Sequence, residues 1–199
     1  MRVEPVTLEG RWVRLEPLTA EHHTALCAAG LDPELWRWTT TDVRTPEDLR
    51  RYLQAAIKEQ RAGRALPFAT IDRASGRAAG STRFGNIEPD HRKVEIGWTW
   101  LGRSFQRTAL NTEAKYLMLR HAFEVEGCMR VELKTSTTNL KSQEAMRRLG
   151  LIEEGTFRKW MFNEDGTSRD TMWFRCTDDE WPAMKTRLEG MLARGATIR

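Results

Sequence analysis

The chain has 199 residues, 40% hydrophobic and 30% charged, which suits a globular fold with one sizeable core; residues 5 to 195 are read as a single domain. A net charge of +4 and a pI of about 9.2 suit an anionic ligand, but the arginines are spread along the whole chain and no helix carries a dense basic face, so a nucleic-acid partner is not expected. Cys27, Cys128 and Cys176 form no CxxC pair, and no window nears the roughly 18 apolar residues of a membrane span; this argues against a disulfide framework, a metal site and a membrane partner, and points to the cytoplasm.

Residues 11 to 18 read as a strand, and a helix follows Thr19 from about Ala20 to Gly30. A second helix is marked more fully: Thr45 caps it, Pro46 takes the first position, Asp48 completes a capping pattern, and Leu49, Leu53, Ala56 and Ile57 form one stripe. Between the two helices, LDPELWRWTTTDVR is a Trp-rich loop. Residues 66 to 72 and 77 to 87 form a hairpin around DRASGR, and residues 93 to 101 a strand with Val94, Ile96, Trp98 and Trp100 on one face. A helix with Ala114, Leu117, Met118, Ala122 and Val125 on its apolar side ends near Gly127, and RVELKT is a short strand. Leu140 to Leu149 is a helix stopped by Gly150, and residues 151 to 163 and 169 to 176 are strands joined by NEDGTS. Thr177 and Glu180 cap a last helix that runs to about Ala193. Strand and helix alternate only in the middle, which argues for an α/β (α+β) fold, a mixed sheet with helices on both faces.

The turn WLGRSFQRTALNTEAK, Trp100 to Lys115, delivers a strand into a helix. The first helical N–H groups lack intrahelical partners and, with the helix dipole, make a site for a pyrophosphate, to which Gln106, Arg107, Thr108 and Asn111 add side-chain donors. The same residues also suit a plain polar corner in which Asn111 or Thr112 caps the helix.

EIGWTWLGRSFQRTALNTEA, followed by RVELKTSTTNLKSQEAMRRLGLIEEGTFRK, resembles the GNAT superfamily of acetyl-CoA-dependent N-acetyltransferases, in the branch like RimJ and RimL, the ribosomal-protein N-terminal acetyltransferases. The resemblance runs from RWVRLEPLTAEH to DDEWPAMKTRL and is densest between residues 93 and 160. It implies the GNAT fold with a mostly antiparallel sheet, coenzyme A as partner, acetyl-CoA as cosubstrate, and an amine acceptor. By this likeness the loop Gln106, Arg107, Thr108, Ala109, Leu110 and Asn111 wraps the pyrophosphate. Gln106 matches the first position, Ala109 stands where Gly is usual, and Asn111 where Gly or Ala is usual. Thr99, Trp100 and Leu101 lie on the strand whose backbone meets the pantetheine arm, a requirement that a bulge near Gly97 would ease.

In TNLKSQEAMRRLG, helical spacing puts Ser142, Ala145, Met146 and Leu149 on one face. Taken singly, Ser142 would bond back to an earlier carbonyl and Asn139 would be an N-cap. The resemblance instead places Asn139 and Ser142 at the thioester end of the cofactor. Many family members carry a Tyr where Met146 stands, which leaves Ser142 as donor to the coenzyme A sulfur. A thiol of pKa about 8.5 leaves with little acid help. The amine is harder: a lysine ε-amine near 10.4 is less than about 0.1% neutral at pH 7, whereas an α-amine near 7.7 to 8.0 is about a tenth neutral.

Glu95, facing away from Val94 and Ile96, and Glu154 in EEG are candidate bases acting through water; Glu95 also fits a solvated or salt-bridged strand residue. His121 sits on an apolar stripe and reads as structural. Trp36, Arg37, Trp38, Arg158 and Trp160 fit a cleft for a peptide N-terminus or a small anion, and equally a packed aromatic cluster or a homodimer contact. The expected reaction is direct acetyl transfer to a primary amine, since no cysteine has a neighbouring base. The alternatives are a catalytically degenerate acyl-CoA-binding protein and, last, a nucleic-acid-binding regulatory module.

Overall fold

A computed structural model describes residues 4–195. One open sheet of eight strands runs through it. Its strands are β1 (Leu8–Glu9), β2 (Val13–Pro17), β3 (Leu66–Asp72), β4 (Ala78–Glu88), β5 (Lys93–Leu101), β6 (Arg130–Ser136), β7 (Ile152–Phe162) and β8 (Ser168–Thr177). The helices are α1 (His23–Gly30), α2 (Pro46–Arg61), α3 (Ala109–Arg120), α4 (Leu140–Leu149) and α5 (Trp181–Ala193). The strand order is β1-β2-β3-β4-β5-β6-β8-β7, and every neighbouring pair is antiparallel except β5 and β6. This is the mixed, mostly antiparallel sheet expected, with β1 as an added edge strand too short to leave a pattern.

The helix ends follow local chemistry. Thr45 and Asp48 exchange hydrogen bonds over the first turn of α2, with Pro46 where a missing N–H costs nothing. Gly150 closes α4 at φ +102, a conformation that a side chain disfavours. At its far end α3 widens into a π-type turn over His121–Val125; His121 is buried there beside Phe84, while Val125 is 69% exposed and off the expected apolar stripe.

Two cores lie on opposite faces of the sheet. One joins Phe68, Phe84, Val94 and Ile96 to Leu117 and Met118 of α3, Leu149 of α4 and Leu188 of α5. The other joins Leu26 of α1, Leu49, Tyr52 and Leu53 of α2, Trp36 and Trp100. Glu113 of α3 ties the sheet edge to the first core: its carboxylate accepts the N–H groups of Arg11 (2.7 Å), Trp12 (2.6 Å) and Val13 (2.8 Å). Gly10 makes room for it, because a Cβ there would stand 2.3 Å from the Glu113 carboxyl carbon.

Two irregularities in β5 matter most. Two residues, Trp98 and Thr99, lie between its pairings Arg83↔Gly97 and Ser81↔Trp100, opposite the single residue Thr82. This bulge, with Trp98 at φ +50, reverses the alternation, so Val94 and Ile96 enter one core and Trp100 the other. The four residues therefore do not share a face. Second, β5 and β6 are paired only from Lys93 to Glu95 against Arg130 to Glu132, and beyond that register they part.

Candidate functional site

The parting of β5 and β6 opens a cavity of about 340 Å³. Its walls are β5 from Glu95 to Trp100, β6 from Leu133 to Thr135, Asn111 and Lys115 of α3, Asn139 and the α4 residues Ser142, Ala145, Met146 and Leu149, and the segment from Leu35 to Thr41. A second hollow of about 480 Å³ shares Trp98 and Lys134 with it and is lined further by Glu59, Arg64, Arg83, Asn86, Trp160 and Trp173. Trp98 and Lys134 are thus the partition between the two spaces.

The turn before α3 is built for close approach. Arg107 takes the left-handed conformation, φ +58, while Ala109 and Asn111 do not, so the small positions of the turn need no glycine. The N–H groups of Arg107 and Thr108 have no acceptor among the described residues. Thr108 caps α3 by accepting from Leu110, and Gln106 donates to the Leu101 carbonyl at 2.8 Å. Leu110 turns its side chain into the core, and the Arg107 side chain is exposed. Asn111 Oδ1 and Trp100 Nε1 are buried on the cavity wall without a hydrogen-bond partner among the described residues.

On α4 the expected face does line the cavity. Asn139 is the N-cap, its Oδ1 accepting from Ser142 N–H at 3.2 Å. The Ser142 hydroxyl makes no hydrogen bond among the described residues, so it does not bond back to its own helix. Met146 beside it is buried and apolar.

The two candidate carboxylates part company. Glu95 is 2% exposed on the cavity wall, where its Oε2 accepts from Asn86 Nδ2 at 2.7 Å and Lys134 Nζ at 2.6 Å. Its Oε1 has no partner among the described residues. Glu154 lies outside both hollows on the edge strand β7. The Arg130 guanidinium, and then that of Arg175, grip its carboxyl and hold it below the usual carboxylate range. The structure places Ser142 and Glu95 on one cavity and leaves Glu154 outside it, on the edge strand, where Arg130 of β6 and Arg175 of β8 engage its carboxylate.

The aromatic candidates divide as well. Trp36 is buried, 5.1 Å from Tyr52 and 5.3 Å from Trp100 between ring centroids, with its Nε1 donating to the Gly30 carbonyl at 2.7 Å; it is a packed residue that also walls the cavity. Trp38 stands at the rim under Arg37. Trp160 borders the second hollow with Trp173, and Arg158 is exposed on β7 and reaches neither.

Two cavity residues have no counterpart among the sequence candidates. Lys115 is 5% exposed, and its Nζ donates to Thr99 Oγ1 at 2.6 Å and Thr82 Oγ1 at 3.1 Å; burial pushes the ammonium down to about 7. Arg169 of β8 is 8% exposed, with Nη1 donating to the Trp38 carbonyl at 3.2 Å and Nε buried without an acceptor among the described residues. The signals were present: Lys115 follows Asn111 by one helical turn, and Arg169 shares the inward alternation of Thr171. Among the described residues no helix is long and apolar enough to cross a membrane.

Comparison with known proteins matches the acetyltransferase (GNAT) domain over residues 13–152. The ribosomal-protein-serine acetyltransferase of Escherichia coli is 25% identical over 138 residues, 69% of this chain and 75% of that protein. YdaF of Bacillus subtilis is 28% identical over 110 residues, 55% of this chain and 59% of YdaF, so the match spans less than two thirds of that relative. The crystal structure of a GCN5-related N-acetyltransferase from Brucella melitensis superposes with a TM-score of 0.88 at 35% identity, covering 95% of this chain and 86% of that one. With the family model matched over residues 13–152, more than half of this chain, and with two strands that part over a cavity, the chain belongs to the GNAT acetyltransferase family.

Proposed function

We propose that this acetyltransferase moves acetyl from acetyl-CoA directly to a primary amine, the α-amine of a protein N-terminus or of a small molecule. One observation carries the reading: β5 and β6 stop pairing after three residues and leave facing strand edges on a cavity that Ser142 also lines. The unpartnered Asn111 Oδ1 and Trp100 Nε1 and the open N–H groups of Arg107 and Thr108 fit a ligand that is part amide, part phosphate. Arg107, Thr108 and Ala109 would hold the pyrophosphate, Gln106 bracing the turn from behind, and Thr99, Trp100 and Leu101 would offer their backbone to the pantetheine arm. When bound, the cofactor supplies an acetyl thioester whose thiol leaves readily near neutrality.

The protein's part is position and proton handling. Ser142, the free hydroxyl on the wall, would donate to the sulfur as negative charge builds there. Glu95, with Oε1 unused, would receive a proton from the amine through a water, while Lys134 and Asn86 fix its Oε2. An α-amine asks least of such a base. The acceptor would arrive by the side that Trp98, Trp160 and Trp173 border. Cys27 and Cys176 form no disulfide among the described residues, which suits a reducing compartment.

Calorimetric titration with acetyl-CoA and with desulfo-coenzyme A, alongside thiol release with peptide N-termini and small amines, tests this. Micromolar binding with release on one acceptor supports it. Binding without release on any amine points to an acyl-CoA-binding protein, and no binding rejects the site.

A further inference from the structure

Among the described residues, three cations stand on the cavity wall, Lys115, Lys134 and Arg169, against a single carboxylate, Glu95. Lys134 is paired with it at 2.6 Å. Lys115 has hydroxyl partners and can release its proton into solvent. Arg169 can do neither: a guanidinium keeps its charge at any physiological pH, and among the described residues no carboxylate lies within ion-pair distance of it. Among the described residues its only acceptor is the Trp38 carbonyl, and its Nε is buried and unsatisfied. A buried charge in that state is costly unless something pairs with it.

The expected pantetheine arm and thioester carry no charge, and the phosphates belong at the Arg107 turn. The missing anion therefore arrives with the acceptor. Arg169 is placed for this, since it joins β8 to the segment between α1 and α2, on the same cavity wall as Glu95. Burial lowers the hold of Arg169 on its proton, and the Glu95 charge acts in the opposite direction. Both side chains line the one cavity, so a ligand carrying both signs would meet both, its amine toward the free Oε1 of Glu95 and its anion toward the Arg169 guanidinium.

We propose that Arg169 binds a carboxylate of the acceptor, so that the preferred substrates are amines with a carboxylate a few bonds away, either the acidic side chain of a peptide's first residues or the α-carboxylate of a small amino acid. The inference rests on the acetyltransferase reading. A charge-paired fork contact of this kind discriminates strongly against the neutral amide, which leaves the guanidinium unpaired.

The experiment uses the full chain saturated with coenzyme A, and again without it. Calorimetry compares Ser-Asp amide with Ser-Asn amide, and serine with serinamide; thiol release from acetyl-CoA is followed on the same four probes. In the wild type, at least one carboxylate form binds about tenfold or more tighter than its amide. Arg169→Gln erases the preference with coenzyme A affinity changed less than about twofold, and Arg169→Lys restores part of it. The peptide pair and the amino-acid pair tell the two sources apart. Equal binding within both pairs, no binding of any probe at millimolar concentration, or a preference that survives in Arg169→Gln overturns the inference. If Arg169→Gln does not fold, the wild-type pairs and Arg169→Lys still decide. Failure of coenzyme A binding and of thiol release, with carboxylate preference intact, overturns the acetyltransferase reading alone.

Discussion

Lys115 Nζ donates to Thr99 Oγ1 at 2.6 Å, so an ammonium with no carboxylate partner among the described residues fastens the bulged strand to α3 at the cavity wall. Folded, the ammonium sits at about 7 against an ordinary 10.5. Between those values the unfolded chain binds more protons, so this group makes stability rise with pH from about 7 to about 10.5, and below 7 its penalty is constant and largest. Lys115→Met is therefore expected to gain stability, roughly 2 kcal/mol at pH 7, shrinking towards pH 10. Thermal melts across that range check it; a gain independent of pH would sink the explanation.

Ser142→Ala and Arg107→Ala should separate turnover from affinity. Removing the Ser142 hydroxyl lowers kcat by about 10- to 100-fold and leaves the acetyl-CoA Kd within about twofold, because the bond forms as the thiolate leaves. Removing the exposed Arg107 side chain weakens cofactor binding by about tenfold with kcat nearly unchanged. Full turnover in Ser142→Ala on a real acceptor removes it from the mechanism.

Glu95→Gln and Glu154→Gln form the second contrast. The first should cut kcat/KM by about 10²-fold, since Gln cannot take a proton. The second should leave turnover within about twofold and cost about 1 kcal/mol or less, as expected of a partly exposed ion pair between strands. Steady-state kinetics with one acceptor, and urea midpoints for both variants, decide; a reversed ranking would reassign the base.

Glu113→Ala leaves the N–H groups of Arg11, Trp12 and Val13 without their acceptor. A loss of about 2 to 4 kcal/mol in urea denaturation is expected, with an unchanged m-value. A loss below about 1 kcal/mol would mean that water replaces the carboxylate at that edge.

The parts of this fold that were legible in the sequence are those decided within one or two turns of chain. The α2 capping box, the Gly150 stop and the hairpin around DRASGR rest on neighbours three or four residues apart, and they stand as read. The face shared by Ser142, Ala145, Met146 and Leu149 is legible for the same reason: helical geometry alone places them together. The β5 face was misread because one inserted residue, invisible to a period of two, turns Trp98 and Trp100 away from Val94 and Ile96.

By itself the sequence determined the family resemblance, the mixed strand and helix order, and the identity of the polar residues on α4 and in the turn before α3. Tertiary structure decided the rest. Whether β5 and β6 part, which carboxylate two arginines capture first, and which cations are left unpaired all depend on contacts between residues tens of positions apart, as with Arg130 and Glu154 or Arg169 and Trp38. Local propensity carries no information about such pairs. Glu95 and Glu154 are chemically alike on paper; only the packing of the sheet leaves one on the cavity wall with a free oxygen and the other neutralised at its edge.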